Sequence, residues 1–271
     1  MTLGKLIGRG NTAEVYEWGE NEVIKLFDQR IPESLVDEEY QSNLLIQGLK
    51  LPSPLVKGKT EIDGTKAIIY EKVNGNSLTK QLTRNPFAIR DKAKLFSQLH
   101  QQIHEKDGAA LPKQMAHLTG NIQYTDLLTT EEKHTICDFL QELPEGNQVC
   151  HGDFHPDNLL VSENQVKVID WMTATCGNPI GDIARTYIIL KHAYLPKNMP
   201  AFVRASLKRV RNRFCTYYLE EYGKQQSLNM EELEKWTIPV MAARLIEGVH
   251  PDEKAVLLEE TRNLLKKYFS H

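Results

Sequence analysis

The chain has 271 residues, a formal net charge of −3, 41% hydrophobic and 25% charged residues, and a mean hydropathy of −0.44. Its length suits one large domain or two modest lobes, and its composition is that of an ordinary soluble globular protein. A charge so close to balance gives no whole-protein footprint for nucleic acid or an anionic membrane, so neither is expected as a partner.

The first ten residues, MTLGKLIGRG, lack the apolar core of a signal peptide. No apolar run approaches the roughly 20 residues that span a bilayer. Cys137, Cys150, Cys176 and Cys215 are scattered without a CxxC pair. They read as free thiols in a reducing compartment, and a cytoplasmic location is expected.

Strands come first along the chain. LGKLIGRG (3–10), AEVYEWG (13–19), NEVIKLF (21–27) and TKAIIYEKV (65–73) are short, β-branched or aromatic, and bounded by Gly, Asn and Asp. WGENE (18–22) reads as a hairpin turn. Residues 32–50 carry Leu35, Leu44 and Leu45 at near-helical spacing and stop before Pro52 and Pro54, which predicts one helix beside the strands. After NGNS (74–77) the pattern turns helical, at 86–107 and again at 131–143. A short β interlude follows, comprising QVC (148–150), the polar cluster HGDFHPDNLL (151–160) and the strand VKVID (166–170), with SENQ (162–165) as a hairpin turn. Four further helices are predicted at 181–193, 199–222, 230–247 and 252–269. Strands first and helices later indicate an α+β protein of two lobes, 1–73 and 74–271, joined near Val73.

Three features point to phosphate chemistry. GRGNTAEV (8–15) is a G-x-G loop between two predicted strands, where Gly8 and Gly10 let backbone approach a phosphate; an ordinary glycine-containing turn would look the same. No helix follows it and no GK[ST] closes it, so it is neither a dinucleotide fingerprint nor a Walker A loop. Lys25 sits inside the apolar strand VIK and needs an anion there, unless the strand is an edge and the ammonium faces water. Glu39 on the following helix is the favoured partner, with Glu38 as the alternative. In the polar cluster, His151, Asp153 and Asn158 fit H-x-D-x-x-x-x-N, and Asp170 ends a strand twelve residues later. At that spacing Asp153 would accept or orient a substrate hydroxyl, and Asn158 and Asp170 would supply hard oxygen ligands for magnesium.

Other chemistries fit less well. A zinc site wants His and Cys ligands at short spacing with a second pair elsewhere. A serine hydrolase wants a G-x-S-x-G elbow, which the chain lacks. His155 and Asp157 are read as loop-shaping residues, and His151 as a structural hydrogen-bonding residue rather than a proton shuttle.

HGDFHPDNLL, VIDW and GNPIGDIAR together resemble the aminoglycoside phosphotransferase and choline kinase family, from the Gly loop to Arg185 and more loosely to MAARLIEG (241–248). The resemblance implies a bilobal protein-kinase-like fold and transfer of a γ-phosphate from ATP, or another nucleoside triphosphate, to a hydroxyl of a small molecule. It implies Lys25 on the α and β phosphates, supported by Glu39, and backbone groups of Glu71 and Val73 offered to adenine. It also implies Asp153 as the base, Asn158 and Asp170 as Mg2+ ligands, and Asp182 as a brace for the catalytic loop. Trp171 stands where protein kinases carry the Phe of D-F-G, and the Gly loop departs from the family toward the protein-kinase pattern.

Only ten residues separate Asp170 from Gly181, too few for a protein kinase's activation loop, so a small hydroxylated acceptor is expected. Residues 186–271 hold 14 Lys and Arg against 10 Asp and Glu. That balance weighs mildly against polycationic acceptors. A nucleotide-binding pseudokinase or interaction module is the competing reading. It would be expected to lack Lys25, Asp153 or Asp170, and all three are present.

Overall fold

Residues 2–10, 12–163 and 165–269 are described by a computed structural model. In chain order its elements are β1 (Leu6–Arg9), β2 (Ala13–Trp18), β3 (Glu22–Phe27), α1 (Glu33–Gly48), β4 (Val56–Ile62), β5 (Thr65–Glu71), β6 (Asn76–Ser77) and α2 (Leu78–Arg84). A short 3-10 turn (Pro86–Ala88) leads into α3 (Ile89–His104), α4 (Gln114–Tyr124), α5 (Thr130–Glu142) and β7 (Gln148–Cys150). A second 3-10 turn (Pro156–Asn158) precedes β8 (Leu159–Val161), β9 (Val166–Val168), β10 (Thr175–Gly177), α6 (Pro179–His192), α7 (Ala201–Gly223), α8 (Met230–Arg244) and α9 (Pro251–Phe269). By its internal contacts the chain divides into two units, residues 1–81 with 156–173, and residues 82–155 with 174–271.

The first unit is built on an antiparallel sheet in the order β1-β2-β3-β5-β4. Its tight turns follow from residues that tolerate a left-handed backbone. Gly19 closes β2–β3 at φ 68, and Asp63 and Gly64 close β4–β5 at φ 48 and 78, the type I′ signature of a two-residue hairpin. Helix α1 packs on β4 and β5. It buries Val36, Glu39, Asn43 and Ile46, a stripe at three- and four-residue spacing that carries a carboxylate inward with the apolar side chains. Ala13, Phe27, Val36 and Ile68 form the core there, with Tyr40, Tyr70 and Met172 packed against it. A smaller sheet, β6-β8-β9, completes the unit. The Ser162 N–H donates to the Gln165 carbonyl at 2.9 Å across the β8–β9 turn. Asn164, within the expected SENQ turn, lies outside the described residues.

The second unit is mainly helical. α3 pairs with α7, α6 with α8, and α8 with α4 and α9, while β7 and β10 form a two-stranded antiparallel ribbon. Phe96, Phe154, Phe214, Tyr218 and Trp236 fill its core. The Phe96 ring lies 4.3 Å from that of Phe154 and 5.3 Å from that of Phe214 between centroids. Local signals set the helix starts. Thr129 and Glu132 form a capping box on α5, and Asn178 caps α6 ahead of Pro179, accepting from the Ile180 N–H at 2.8 Å. All four cysteines are buried free thiols, and all lie in this unit.

A sheet unit with one main helix, and a helical unit, make the α+β class expected from the sequence. Strand β4 and helix α4 were not among the predicted elements, and α8 stops at Arg244 where a helix to 247 was expected. No helix among the described residues is long and apolar enough to cross a membrane.

Candidate active site

Lys25 projects from β3, the middle strand of the first sheet. Its Nζ donates to both carboxylate oxygens of Glu39, at 2.8 and 3.0 Å, and to Asp170 Oδ1 at 3.1 Å. Glu39, not Glu38, is therefore its partner. Tyr70 Oη donates to Glu39 Oε1 at 3.0 Å, a contact the sequence reading did not anticipate. Burial would draw a proton off Lys25. Asp170 and Glu39 outweigh that and hold its pKa above the ordinary lysine value, so the cation is permanent at neutral pH. The Tyr70 hydroxyl is pushed well up, first by burial and then by Glu39, so it stays a donor.

These groups face a cavity of about 350 Å³ within the first unit. Its lining includes Gly8, Gly10, Thr12, Glu71 and Val73, with Val15, Val23, Leu160 and Ile169 as apolar members. Neither Gly8 nor Gly10 has a left-handed backbone, and a Cβ at either would meet only ordinary contacts at 3.6 Å. The Glu71 N–H is already given to the Leu55 carbonyl at 2.8 Å, and the Val73 carbonyl accepts from Gly75 at 3.0 Å.

Asn158 and Asp170 flank the β8–β9 hairpin. Leu159 pairs with Val168, and the Ile169 N–H donates to the Asn158 carbonyl at 2.9 Å, so the two ends of the hairpin are stitched together. Asp170 adopts φ 66, a left-handed conformation rarely held by a residue with a Cβ. Trp171 turns inward beside it and is fully buried, its indole N–H on the Val168 carbonyl at 2.9 Å.

In the second unit, Asp182 at the start of α6 is a buried carboxylate surrounded by donors. Its oxygens accept the His151 N–H at 2.6 Å and the Gly152 N–H at 2.8 Å. The Nε2 atoms of His100 and His104 lie 3.0 and 3.1 Å from Oδ2, while their Nδ1 atoms meet the hydroxyls of Tyr218 and Tyr222, each at 2.8 Å. Burial opposes the charge on Asp182, yet His100 and His104 hold its carboxyl well below the usual range. Burial pushes the His100 ring down to about 3, so it is neutral, and its Nε2–H donates to the carboxylate. Asp182 thus braces the backbone of the loop, the place the resemblance gave it. Gly152 is needed in that loop because its φ is +76.

Asp153 follows. Burial would raise its pKa, but the His155 ring at 3.3 Å and the Arg185 guanidinium at 3.5 Å outweigh this and keep it an anion. The His151 ring is fully buried and accepts the Asp153 N–H at Nδ1, 3.2 Å away, which fits the structural part expected for it. Of the expected site residues, Asp153 belongs to the second unit, and Gly8, Gly10, Lys25, Glu39, Glu71, Val73, Asn158 and Asp170 to the first.

Residues 4–224 match the phosphotransferase enzyme family. The chain belongs to that family. No curated protein matches its sequence, but solved structures of like fold do. A putative fructosamine-3-kinase from Haemophilus somnus 129PT superposes with a TM-score of 0.64 at 13% identity, covering 96% of this chain and 90% of that one. The streptomycin–ATP–APH(2")-IIa ternary complex gives 0.61 at 15% identity, over 96% and 92%. A choline/ethanolamine kinase family protein from Mesorhizobium loti gives 0.60 at 11% identity, over 97% and 87%. At such identities the likeness establishes the fold, which is protein-kinase-like.

Four contacts in this phosphotransferase-family chain escaped the sequence. Tyr70 bonds Glu39 across 31 residues. His100 and His104 stand one turn apart on α3, a spacing visible beforehand whose target was not. Arg185 and Glu247, in motifs noted only for their resemblance, meet as an ion pair.

Proposed function

We propose that the protein transfers the γ-phosphoryl group of Mg·ATP, or of another nucleoside triphosphate, to a hydroxyl of a small molecule. The observation that carries this reading is Lys25, a cation held by Glu39 and Asp170 in the lining of a mainly apolar cavity that Gly8 and Gly10 also line. A cavity near 350 Å³ is within the usual range for small-ligand sites.

Lys25 would hold the nucleotide's phosphates as a point charge, and Glu39 would keep its amine in place. With the Glu71 N–H and the Val73 carbonyl already engaged, we assign the Glu71 carbonyl and the Val73 N–H to the adenine edge. Asn158 and Asp170 fit magnesium by donor chemistry, an amide oxygen and a carboxylate, both hard ligands tied together by the hairpin. The metal, when bound, would neutralise charge on the transferring phosphoryl oxygens. Asp153, kept ionised, would orient the acceptor hydroxyl and take its proton late in transfer, as a loose transition state requires.

A small acceptor is supported by the short connection from Asp170 to α6 and by the family. The names of its structural neighbours point the same way, streptomycin with ATP in one and a putative fructosamine kinase in another.

A panel of hydroxylated metabolites and antibiotics, offered with Mg·ATP and read by ADP release, tests the reading. With the acceptor found, Asp153→Asn should keep nucleotide affinity by calorimetry while turnover drops by about 10²–10⁴-fold. If affinity vanished together with turnover, Asp153 would be a metal ligand or a folding residue instead.

A further inference from the structure

Arg185 and Glu247 lie 62 residues apart, at the end of α6's first turns and just beyond α8. Arg185 comes three residues after Asp182 on α6, so both side chains reach the same loop. Asp182 accepts the loop's N–H groups, and Arg185 Nε donates to the Gly152 carbonyl at 3.0 Å. The loop that carries Asp153 is therefore gripped through both backbone polarities.

The rest of the guanidinium is committed as well. Its two terminal nitrogens form a fork with Glu247, at 2.5 and 2.9 Å, and one of them lies 3.5 Å from Asp153 Oδ1. Glu247 in turn accepts from Arg244 at 2.8 Å, and Arg244 is anchored on buried Glu253 at 2.8 and 3.0 Å. Charges alternate along this row, and the Arg185 side chain is only 12% exposed. A guanidinium held on two edges cannot swing, so its contact with Oδ1, beside the His155 ring 3.3 Å from Oδ2, constrains where the Asp153 carboxylate points.

We propose that Arg185 is a positioning residue for Asp153, with Glu247 as the anchor that holds Arg185 in register. This rests on the reading of Asp153 as the group that orients the acceptor hydroxyl. A carboxylate displaced by about an ångström would still bind a proton but would no longer aim the hydroxyl. Lysine offers no planar fork, and glutamine at 247 offers no anion, so each conservative change loosens one joint of the same linkage.

The experiment compares Arg185→Lys, Glu247→Gln and the double variant, each made with and without Asp153→Asn. Selective 13C labelling of aspartate gives the Asp153 carboxyl resonance directly at neutral pH, without any acceptor. Loosening either joint should shift or broaden that resonance while the fold persists in circular dichroism. With an acceptor in hand, both single variants should lose about 10–100-fold in kcat, with the KM for ATP within about twofold. In the Asp153→Asn background the same changes should cause no further loss, because they act through that carboxylate. An unchanged resonance in both folded variants overturns the proposal, as does a loss that persists undiminished beside Asp153→Asn. A wild-type protein that phosphorylates nothing in the panel would refute the proposed function instead, and the resonance would still decide the linkage.

Discussion

At Asp170 the backbone sits at φ 66 although the residue carries a Cβ, a conformation disfavoured by roughly 1–2 kcal/mol. The side chain is 45% exposed, so its ion pair with Lys25 returns little of that energy. Stability does not explain an aspartate here, whereas the proposed role as a metal ligand would. Asp170→Gly should therefore unfold in urea at a concentration equal to or above the parent's, while magnesium-dependent turnover is lost. A variant both less stable and fully active would contradict this. Lys25 makes the opposite case. Glu39 is 1% exposed, and Lys25→Met would leave that carboxylate buried without its cation. A loss of about 3–5 kcal/mol in urea unfolding is expected, alongside lost nucleotide affinity. Calorimetry and unfolding on one preparation of each variant separate the two behaviours.

Among the elements, the β4–β5 hairpin isolates backbone conformation from packing. Gly64 has φ 78, and a Cβ added there would meet nothing within 4 Å. Gly64→Ala should thus lower stability by about 1 kcal/mol through its turn alone and leave nucleotide binding unchanged. Urea midpoints and ATP affinity check both halves. The same hairpin shows why β4 was missed. Its inward positions are Val56, Gly58, Thr60 and Ile62, alternating with Lys57, Lys59 and Glu61. The two-residue period is present, but Gly and Thr blunt its apolar face, and the charges are those of an edge strand. The Asp63-Gly64 pair was the available clue. Helix α4 buries only Gln114, Leu118 and Ile122, with Gly120 between them and no side-chain cap, so its stripe is too thin to read. Where motif and period coincided, as around the Gly loop, Lys25 and the Asn158–Asp170 hairpin, the strands that carry these residues were legible in the sequence. Pairings that depend on distant helices, Arg185 with Glu247 and the histidines of α3 with Asp182, have no local signature to read.

For the molecule as a whole, the neutral buried histidines set how it responds to acid. His100 has a folded pKa of about 3 and His192 of about 4, both depressed first by burial, against 6.5 when exposed. Below 6.5 the unfolded chain takes up protons that the folded chain refuses, so folding stability is complete above that pH and drains away as pH falls toward 3. From pH 7 to pH 5, His100 alone should remove roughly 2 kcal/mol. Urea midpoints at the two pH values measure this, and His100→Asn should flatten the difference. A wild-type midpoint that stayed level from pH 7 to pH 5 would show that these rings are not neutral in the fold.

The cysteines have a use that their chemistry alone does not reveal. Cys137, Cys150, Cys176 and Cys215 are all buried in the second unit, and no cysteine occurs in residues 1–81 or 156–173. Burial lifts the Cys150 thiol well above its ordinary value and that of Cys215 to about 12, so neither reacts while enclosed. Alkylation by iodoacetamide then becomes a clock for the opening of the helical unit alone. Trp171 is fully buried in the other unit, and with Trp18 and Trp236 replaced by Phe it is the one tryptophan left in the sequence. If nucleotide settles in the cavity of the sheet unit, saturating ATP should slow the exposure of Trp171 to a quencher. Any matching change in the alkylation rate would then measure, in a single tube, how far the steadying of one unit reaches into the other.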